Sequence, residues 1–292
     1  MNIRGAYTAL VTPFKNGQVD EQAYRDLIEW QIEQGIDGLV PCGTTGEAAT
    51  LTHEEQGRVI RICVEQAKGR VPVIAGAGSN NTIEAINLSL LAKDAGADAV
   101  LLITPYYNKP TRKGLIAHFK AVAEKCDLPI IAYNVPGRTG LNMKPEVLAE
   151  VVREVPSIIG VKEATADLVQ ITNIMEECGR DFLLLSGDDF TVLPTMSIGG
   201  GGTISVVSNI VPDKMAALCK AYDDKDHDKA YSIHLELAPL CRAMFAETNP
   251  IPVKTALSMM RRVEKEFRLP LTTMEDENEV KLKAALKKAG LI

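Results

Sequence analysis

Short apolar runs alternate with amphipathic helical segments along most of the chain, and this alternation constrains the fold more than any other feature. Eight of the runs have the length and residue types of β-strands. The predicted strands are Thr8–Phe14, Gly38–Gly43, Val71–Gly76, Ala99–Thr104, Pro129–Val135, Ile158–Ala164, Phe182–Asp188 and Thr203–Ser208. The predicted helices between them are Glu21–Glu33, His53–Lys68, Ile83–Ala95, Lys113–Cys126, Pro145–Glu154, Leu168–Cys178 and Thr191–Ile198. Strands separated by helices are expected to run parallel.

The composition of the strands indicates how they are covered. They are apolar on both faces, which is typical of parallel strands buried between helices. Helix boundaries carry their own signals, such as the capping box formed by Thr52 and Glu55. Eight strand–helix units favour closure into an α/β (β/α)8 TIM barrel, although periodicity alone leaves an open doubly wound sheet possible. No G-x-G-x-x-G follows the first strand, which argues against a dinucleotide-binding sheet.

The strand pattern stops after Ser208, and helical patterns continue from Pro212 to the end. We therefore divide the chain into a barrel catalytic domain at residues 1–224 and a C-terminal helical domain at residues 225–292. No pattern of reactive side chains distinguishes the second region. We expect it to supply packing or oligomer contacts.

Composition and charge exclude several classes of function. The 292 residues are 46% hydrophobic with a net charge of −6, and no basic stripe could neutralise a nucleic acid backbone. No run approaches the roughly 18 apolar residues of a membrane span, and the start lacks the apolar core of a signal peptide. We therefore expect a cytoplasmic protein that binds neither nucleic acid nor membrane. Six cysteines without C-x-x-C spacing and four histidines without metal-ligand spacing predict no metal.

One lysine occupies a position that a charged amine normally avoids. Lys162 lies near the end of the apolar run at 158–164. It could pair with a carboxylate such as Asp188 or Glu163, extend to solvent, or become neutral and nucleophilic. Neutral lysine forms imines with carbonyl substrates. Alternation places Lys162 on the same strand face as Gly160, with Glu163 on the other, which favours a nucleophile inside the barrel.

Other reactive residue types follow predicted strands, where barrel enzymes carry their active sites. Gly43-Thr44-Thr45-Gly46-Glu47 offers hydroxyls and backbone N–H groups that suit a carboxylate, although it could be only a turn before a helix. Tyr133 ends the fifth strand, and Arg138 follows it as either a carboxylate clamp or a surface ion pair. Tyr106 and Tyr107 follow the fourth strand, where adjacent aromatics indicate packing or an interface.

Two glycine-containing segments belong to opposite ends of the predicted barrel. Ser186-Gly187-Asp188 ends the seventh strand on the active-site side. Gly199-Gly200-Gly201-Gly202 precedes the eighth strand and therefore lies at the opposite mouth. We interpret it as a tight connection and not as a phosphate cradle.

Three motifs together resemble the dihydrodipicolinate synthase family of pyruvate-dependent class I aldolases and lyases. The motifs are Gly43-Thr44-Thr45-Gly46-Glu47, Tyr133-Asn134-Val135-Pro136-Gly137-Arg138-Thr139 and Gly160-Val161-Lys162-Glu163-Ala164, and the resemblance extends from Gly5 to about Leu269. The first and third are shared with related enzymes such as N-acetylneuraminate lyase, so they imply imine chemistry only. Arg138 is more diagnostic, because the family uses it for the carboxylate of aspartate semialdehyde.

The resemblance implies a role for each matching residue. Lys162 would form the imine with pyruvate, and Tyr133 would move protons to and from it. Thr44 would link Tyr133 to Tyr107 in a hydroxyl relay. The residues implied to bind or surround the substrates are Thr45, Arg138, Gly187, Asp188 and Ile204. No metal or organic cofactor would be needed.

The resemblance also implies an activity and an assembly. The activity is condensation of pyruvate with aspartate semialdehyde to 4-hydroxy-tetrahydrodipicolinate, on the route to diaminopimelate and lysine. In the family Tyr107 reaches in from a neighbouring subunit, so we expect a homotetramer built as a dimer of dimers. The alternatives are a pyruvate-dependent sugar-acid aldolase, a non-catalytic barrel that binds a small carboxylate, and a phosphate-binding barrel enzyme.

Many family members are inhibited by lysine at the dimer interface. The matching residues are Ala49, His53, Asn80, Glu84 and Tyr106. The inhibited enterobacterial pattern has serine and histidine where this chain has Ala48 and Gln56. Glu84 could still pair with the ammonium of the effector. We expect inhibition to be retained, although the two differences could weaken it.

Overall fold

A computed structural model describes residues 3–292 of the chain. Its strands are β1 (Gly5–Ala9), β2 (Phe14–Lys15), β3 (Gln18–Val19), β4 (Gly38–Val40), β5 (Ile74–Gly76), β6 (Ala99–Ile103), β7 (Ile130–Asn134), β8 (Ile158–Glu163), β9 (Leu183–Ser186) and β10 (Gly202–Ser205). Its helices are α1 (Glu21–Glu33), α2 (His53–Ala67), α3 (Thr82–Asp94), α4 (Arg112–Lys125), α5 (Pro136–Thr139), α6 (Pro145–Glu154), α7 (Leu168–Cys178), α8 (Val192–Ser197), α9 (Pro212–Asp223), α10 (His227–Met244), α11 (Ile251–Met259) and α12 (Asp276–Lys288).

The main sheet is a barrel of eight strands in the order β4-β1-β10-β9-β8-β7-β6-β5, and its pairings are parallel. A parallel bridge between Leu39 and Val73 joins its two outer strands. The backbone N–H of Gly76 also donates to the carbonyl of Pro41 at 2.9 Å. These contacts close the sheet, and the predicted (β/α)8 barrel is confirmed.

The first barrel strand differs from the prediction, because it is Gly5–Ala9 and not Thr8–Phe14. Pro13 lacks the N–H that a central strand needs, and Phe14 instead begins a small antiparallel hairpin with β3. Phe14 is nevertheless fully buried. An apolar run alone therefore does not separate a barrel strand from a buried segment that follows one. The other seven predicted strands are present and are shorter than predicted, and the last of them starts one residue earlier, at Gly202.

Buried apolar side chains form two groups, one inside the barrel and one between the barrel and its helices. Tyr7, Leu185 and Ile204 belong to the inner group, whereas Val161 belongs to the outer one. The run Gly199–Gly202 connects α8 to the amino end of β10. Side chains thus fill the interior of the barrel, and a site is expected at the carboxyl ends of the strands.

Helix α9 completes the eighth strand–helix unit, and α10 to α12 follow it. Helix α10 packs on α9, and α12 packs on both α10 and α11. The proposed boundary between residues 224 and 225 falls in the turn that joins α9 to α10. Among the described residues, none of the helices combines the length and apolarity that crossing a bilayer requires.

Candidate active site

Lys162 lies near the carboxyl end of β8, in register with Tyr133 on β7. The side chain is only 6% exposed, and its Nζ lies 4.3 Å from the centroid of the Tyr133 ring. Within residues 3–292, no carboxylate oxygen lies within 4.0 Å of this Nζ. The amine is therefore neither paired with Asp188 or Glu163 nor extended to solvent.

Lys162 opens onto a cavity of about 160 Å³ at the carboxyl ends of the strands. The predicted site residues that line this cavity are Thr44, Thr45, Tyr133, Arg138, Lys162, Gly187 and Asp188. Ile204 lies within the barrel core and is not part of the lining. Residues from four different strand ends thus meet around one amine.

Gly187 leaves the space beside the amine. A Cβ built at this position would lie 3.1 Å from Lys162 Cε and 2.7 Å from Ala164 Cβ, so a side chain would press against the lysine. The neighbouring Asp188 borders the same cavity. Burial raises the pKa of the Asp188 carboxyl.

The Gly43–Glu47 segment brings a buried hydroxyl to the cavity. Thr45 is 3% exposed, and its Oγ1 accepts a hydrogen bond of 3.0 Å from Asn249 Nδ2. Because that bond uses the oxygen as an acceptor, the hydroxyl hydrogen is free to point toward a ligand. A hydroxyl that donates toward the cavity suits an anionic group such as a carboxylate.

Arg138 lies on the short helix α5 and borders the cavity. Its Nη2 donates to the backbone carbonyl of Asn249 at 2.9 Å. Arg138 forms no ion pair with any of residues 3–292, so the surface ion pair considered from the sequence is absent. The guanidinium therefore retains donors for an anionic ligand.

The C-terminal region contributes more than packing, which corrects the expectation from the sequence. Asn249 borders the cavity and contacts both Thr45 and Arg138. Phe245 also lines the cavity. Sequence reasoning missed both residues, because Asn249 lies 204 positions from Thr45 and in a turn without a motif.

Tyr107 is not brought to the cavity of its own chain. Its side chain is 89% exposed, and its backbone has a φ of +68°. Such exposure is unusual for a large aromatic side chain. The hydroxyl relay to Tyr133 is therefore not assembled within one copy of the chain.

A second cavity of about 380 Å³ adjoins the first and shares Thr44, Tyr133 and Arg138 with it. The predicted effector residues that line it are Ala49, His53, Glu84 and Tyr106, together with Ala48 and Gln56. Asn80 is not part of this lining, but its Nδ2 donates to the Tyr106 carbonyl at 3.2 Å.

Glu84 is held as an anion in this second cavity. The hydroxyl of Ser79, and then His53, lower the pKa of the Glu84 carboxyl. His53 Nε2 lies 2.8 Å from Glu84 Oε1. Glu84 therefore presents a negative charge to the cavity at neutral pH. Residues 3–292 contain no group of three or more acidic, histidine or cysteine side chains that could hold a metal ion.

The fold and the unpaired amine at its carboxyl rim are those of the imine-forming barrel lyases. Within that class, the chain belongs to the dihydrodipicolinate synthetase family, whose model matches residues 2–289. It is 66% identical, over the full length of both chains, to a protein of Maridesulfovibrio salexigens named 4-hydroxy-tetrahydrodipicolinate synthase.

Solved structures give the same result. The dihydrodipicolinate synthase of Acinetobacter baumannii, solved in complex with pyruvate, is 45% identical with a TM-score of 0.97, covering 99% of this chain and 100% of that one. The enzyme of Cyanidioschyzon merolae, solved with lysine bound, is 39% identical with a TM-score of 0.95 and 99% coverage of each chain.

Proposed function

We propose that this protein condenses pyruvate with L-aspartate 4-semialdehyde to give 4-hydroxy-tetrahydrodipicolinate, in the biosynthesis of diaminopimelate and lysine. The observation that carries the proposal is the buried, unpaired amine of Lys162, which borders a small cavity beside Tyr133. The names of the full-length relatives support the same activity.

The reaction begins with the amine. Lys162 attacks the keto carbon of pyruvate, and water leaves as an imine forms. The imine withdraws electrons, so the methyl group loses a proton and becomes an enamine. The enamine carbon attacks the aldehyde carbon, and the aldehyde oxygen takes up a proton. Tyr133 carries these protons, and the 4.3 Å distance between its ring centroid and Lys162 Nζ supports this role.

Ring closure then frees the enzyme. The amino group that came from the semialdehyde attacks the imine carbon and displaces the amine of Lys162. The cyclic product leaves, and Lys162 is ready for another pyruvate. No step in this sequence calls for a redox change.

Two groups on the rim bind the carboxylates. Thr45 holds that of pyruvate, because its hydroxyl hydrogen is free toward the cavity. Arg138 holds that of the semialdehyde, because its guanidinium has no acidic partner within residues 3–292. Arg138→Leu is expected to lose semialdehyde turnover while it still forms the pyruvate imine. Cleavage of N-acetylneuraminate by the unmodified protein would instead favour a sugar-acid aldolase.

Trapping with borohydride tests the central step. Incubation with pyruvate and borohydride reduces the imine to a stable amine, and peptide mass spectrometry locates it. We expect one adduct, on Lys162. An adduct on another lysine, or none in a folded protein, would overturn the proposed mechanism.

We infer that a second copy of the chain supplies Tyr107 and that the protein is a homotetramer built from two such dimers. The 89% exposure of Tyr107 and its absence from the cavity lining of its own chain support this arrangement. Co-expression of Lys162→Met and Tyr107→Phe subunits tests it. A mixed dimer then contains one complete site, so activity should exceed that of either variant alone. If Tyr107 acted in its own chain, no site would be complete.

We also infer that lysine binds the second cavity and inhibits the enzyme. The anionic Glu84, which would face the ammonium of the effector, supports this inference. The lysine-bound structure of the Cyanidioschyzon merolae relative supports it as well. Isothermal titration should show heat that Glu84→Gln removes. Titration of lysine into the active protein without heat would exclude the inference.

A further inference from the structure

A buried polar cluster lies on the outer face of the barrel, directly behind the reactive pair. Strands β7 and β8 pair Tyr133 with Lys162, and the next residues in register are Asn134 and Glu163. Successive side chains of a strand point to opposite faces. Tyr133 and Lys162 therefore border the cavity, whereas Asn134 and Glu163 lie on the opposite face of the strands, toward the helices. Asn134 is 0% exposed and Glu163 is 1% exposed.

The Glu163 carboxylate is surrounded by neutral donors. Oε2 accepts from Asn134 Nδ2 at 2.9 Å and from Gln170 Nε2 at 3.2 Å. Oε1 accepts from the backbone N–H of Thr165 at 2.8 Å. None of the ion pairs within residues 3–292 includes Glu163. A buried carboxylate is thus held entirely by amide N–H groups.

Asn134 is fixed in turn by the chain that follows α5. Its Oδ1 accepts from the backbone N–H of Met143 at 2.9 Å, and its Nδ2 also donates to Asn142 Oδ1 at 2.8 Å. Asn142 and Gln170 hydrogen-bond to each other through both ends of their amides. The cluster therefore joins β7, β8, α7 and the segment before α6.

This arrangement is costly for stability alone. A desolvated carboxylate requires hydrogen bonds merely to offset its burial, and an apolar pair would fill the same outer layer without that cost. Val161, two positions earlier on β8, shows that apolar side chains are accommodated there. What the polar pair adds is register, since a slip of one residue would place Lys162 or Ala164 opposite Asn134 and leave the Glu163 carboxylate without that donor.

We propose that Glu163 and Asn134 are positioning residues that hold Lys162 and Tyr133 at the same height on adjacent strands, within reach of one substrate carbon. The inference rests on the proposed imine chemistry, and neither side chain touches substrate. A shift of about 1 Å in a reacting group can lower a rate by about 100-fold. The cross-strand bond would prevent such a shift.

Glu163→Gln tests the proposal while it preserves size. Both carboxylate oxygens are acceptors, so a glutamine must present its NH2 group to at least one donor. We expect kcat to fall about 10- to 100-fold, with the KM for pyruvate within about twofold, because the Thr45 region is untouched. The rate of borohydride trapping on Lys162 should fall in parallel with kcat.

Val161→Ala is the matched control, because it removes buried atoms from the same strand but leaves the cluster intact. It should lower the melting temperature and leave kcat near that of the unmodified protein. Gln170→Met removes one donor to Glu163 Oε2 at the edge of the cluster, and we expect it to lower kcat by a smaller factor than Glu163→Gln. If Glu163→Gln does not fold, the kcat of Gln170→Met tests the proposal instead.

A swap provides the rescue. Glu163→Gln combined with Asn134→Asp keeps one carboxylate and one amide across the two strands, and we expect it to recover much of the lost kcat. The proposal is overturned if the folded single variants keep full kcat, if their losses only track melting temperature as for V161A, or if the swap recovers nothing. Absence of trapping in the unmodified protein would overturn the imine chemistry itself, which is a separate outcome.

Discussion

Two lysines are buried near the same rim of the barrel, and their amines have opposite surroundings. Lys254, on α11, is 0% exposed, and its Nζ lies 2.6 Å from Glu47 Oε1 and 4.0 Å from the centroid of the Phe14 ring. Lys162 is 6% exposed, has no carboxylate partner in the part of the chain that the structure describes, and faces a cavity. The Lys254 amine is paired with a carboxylate of its own chain, whereas the Lys162 amine is available to a ligand in the cavity.

This difference separates Lys254, whose charge is part of the structure, from Lys162, whose amine is proposed to react. Burial lowers the pKa of Lys254, and the Glu47 carboxylate acts against that shift, so the pair persists as a matched unit. Glu47 is also the last residue of the Gly43–Glu47 segment, and it adopts a left-handed φ of +54°. The Lys254 pair therefore anchors the segment that carries Thr45, whereas Lys162 is the proposed nucleophile.

The largest expected effect is on activity, from Lys162→Met. Loss of the covalent nucleophile should reduce condensation at least about 10⁴-fold and abolish borohydride trapping. Stability should be unchanged or higher, because an apolar side chain replaces an amine without a partner. Steady-state kinetics and thermal melting measure the two quantities. Residual activity above about 1% would show that Lys162 is not the nucleophile.

Lys254→Met should give the reverse result, a large effect on stability. It leaves the buried Glu47 carboxylate without its cation, which costs about 3–5 kcal/mol of unfolding free energy. Glu47→Gln in the same chain should restore most of that loss, since both charges are then gone. Urea unfolding of the single and double variants measures both changes. If K254M were as stable as K162M, the contrast between the two lysines would not hold.

The same sequence signal marks both lysines, and only the structure separates them. Lys162 lies near the end of an apolar strand, and Lys254 lies within the apolar start of α11, so each is a charge in an apolar run. The partner Glu47 lies 207 positions from Lys254, and no local pattern connects them. Local sequence patterns could predict the strand–helix order, the position of Lys162 on the inner face of its strand, and the motifs at the rim. Contacts between the C-terminal helices and the rim depend on tertiary packing and could not.

Asn249→Ala tests how much the C-terminal region contributes to substrate binding. The Asn249 amide donates to Thr45 Oγ1, and this bond leaves the hydroxyl hydrogen free for the proposed contact with the pyruvate carboxylate. Its loss should raise the KM for pyruvate about tenfold with little change in kcat, as expected for one hydrogen bond of about 1.4 kcal/mol. Asn249→Asp should be worse, because its carboxylate accepts the Thr45 proton and repels the substrate. Equal KM values for both variants and the unmodified protein would limit Asn249 to packing.

The smallest expected effect comes from Glu55, which Arg268 connects to Glu47 of the Lys254 pair. Arg268 donates to both carboxylate oxygens of Glu55 and, through its backbone N–H, to Glu47 Oε2. The guanidinium lowers the pKa of Glu55 from 4.5 to about 2. A carboxyl whose pKa is lowered by folding stabilises the folded state at pH values above its unfolded-state pKa. This contribution is lost as the pH falls from 4.5 toward 2.

Glu55→Gln isolates this charge, because glutamine also completes the capping box with Thr52. At pH 7 we expect E55Q to melt no more than about 3 °C below the unmodified protein, since a partly exposed pair contributes below about 1 kcal/mol. The difference should shrink as the pH is lowered below 4.5. Melting curves of both proteins across that range measure it. A difference that stays constant with pH would mean that Glu55 acts by its shape and not by its charge, in contrast to the Lys254–Glu47 pair.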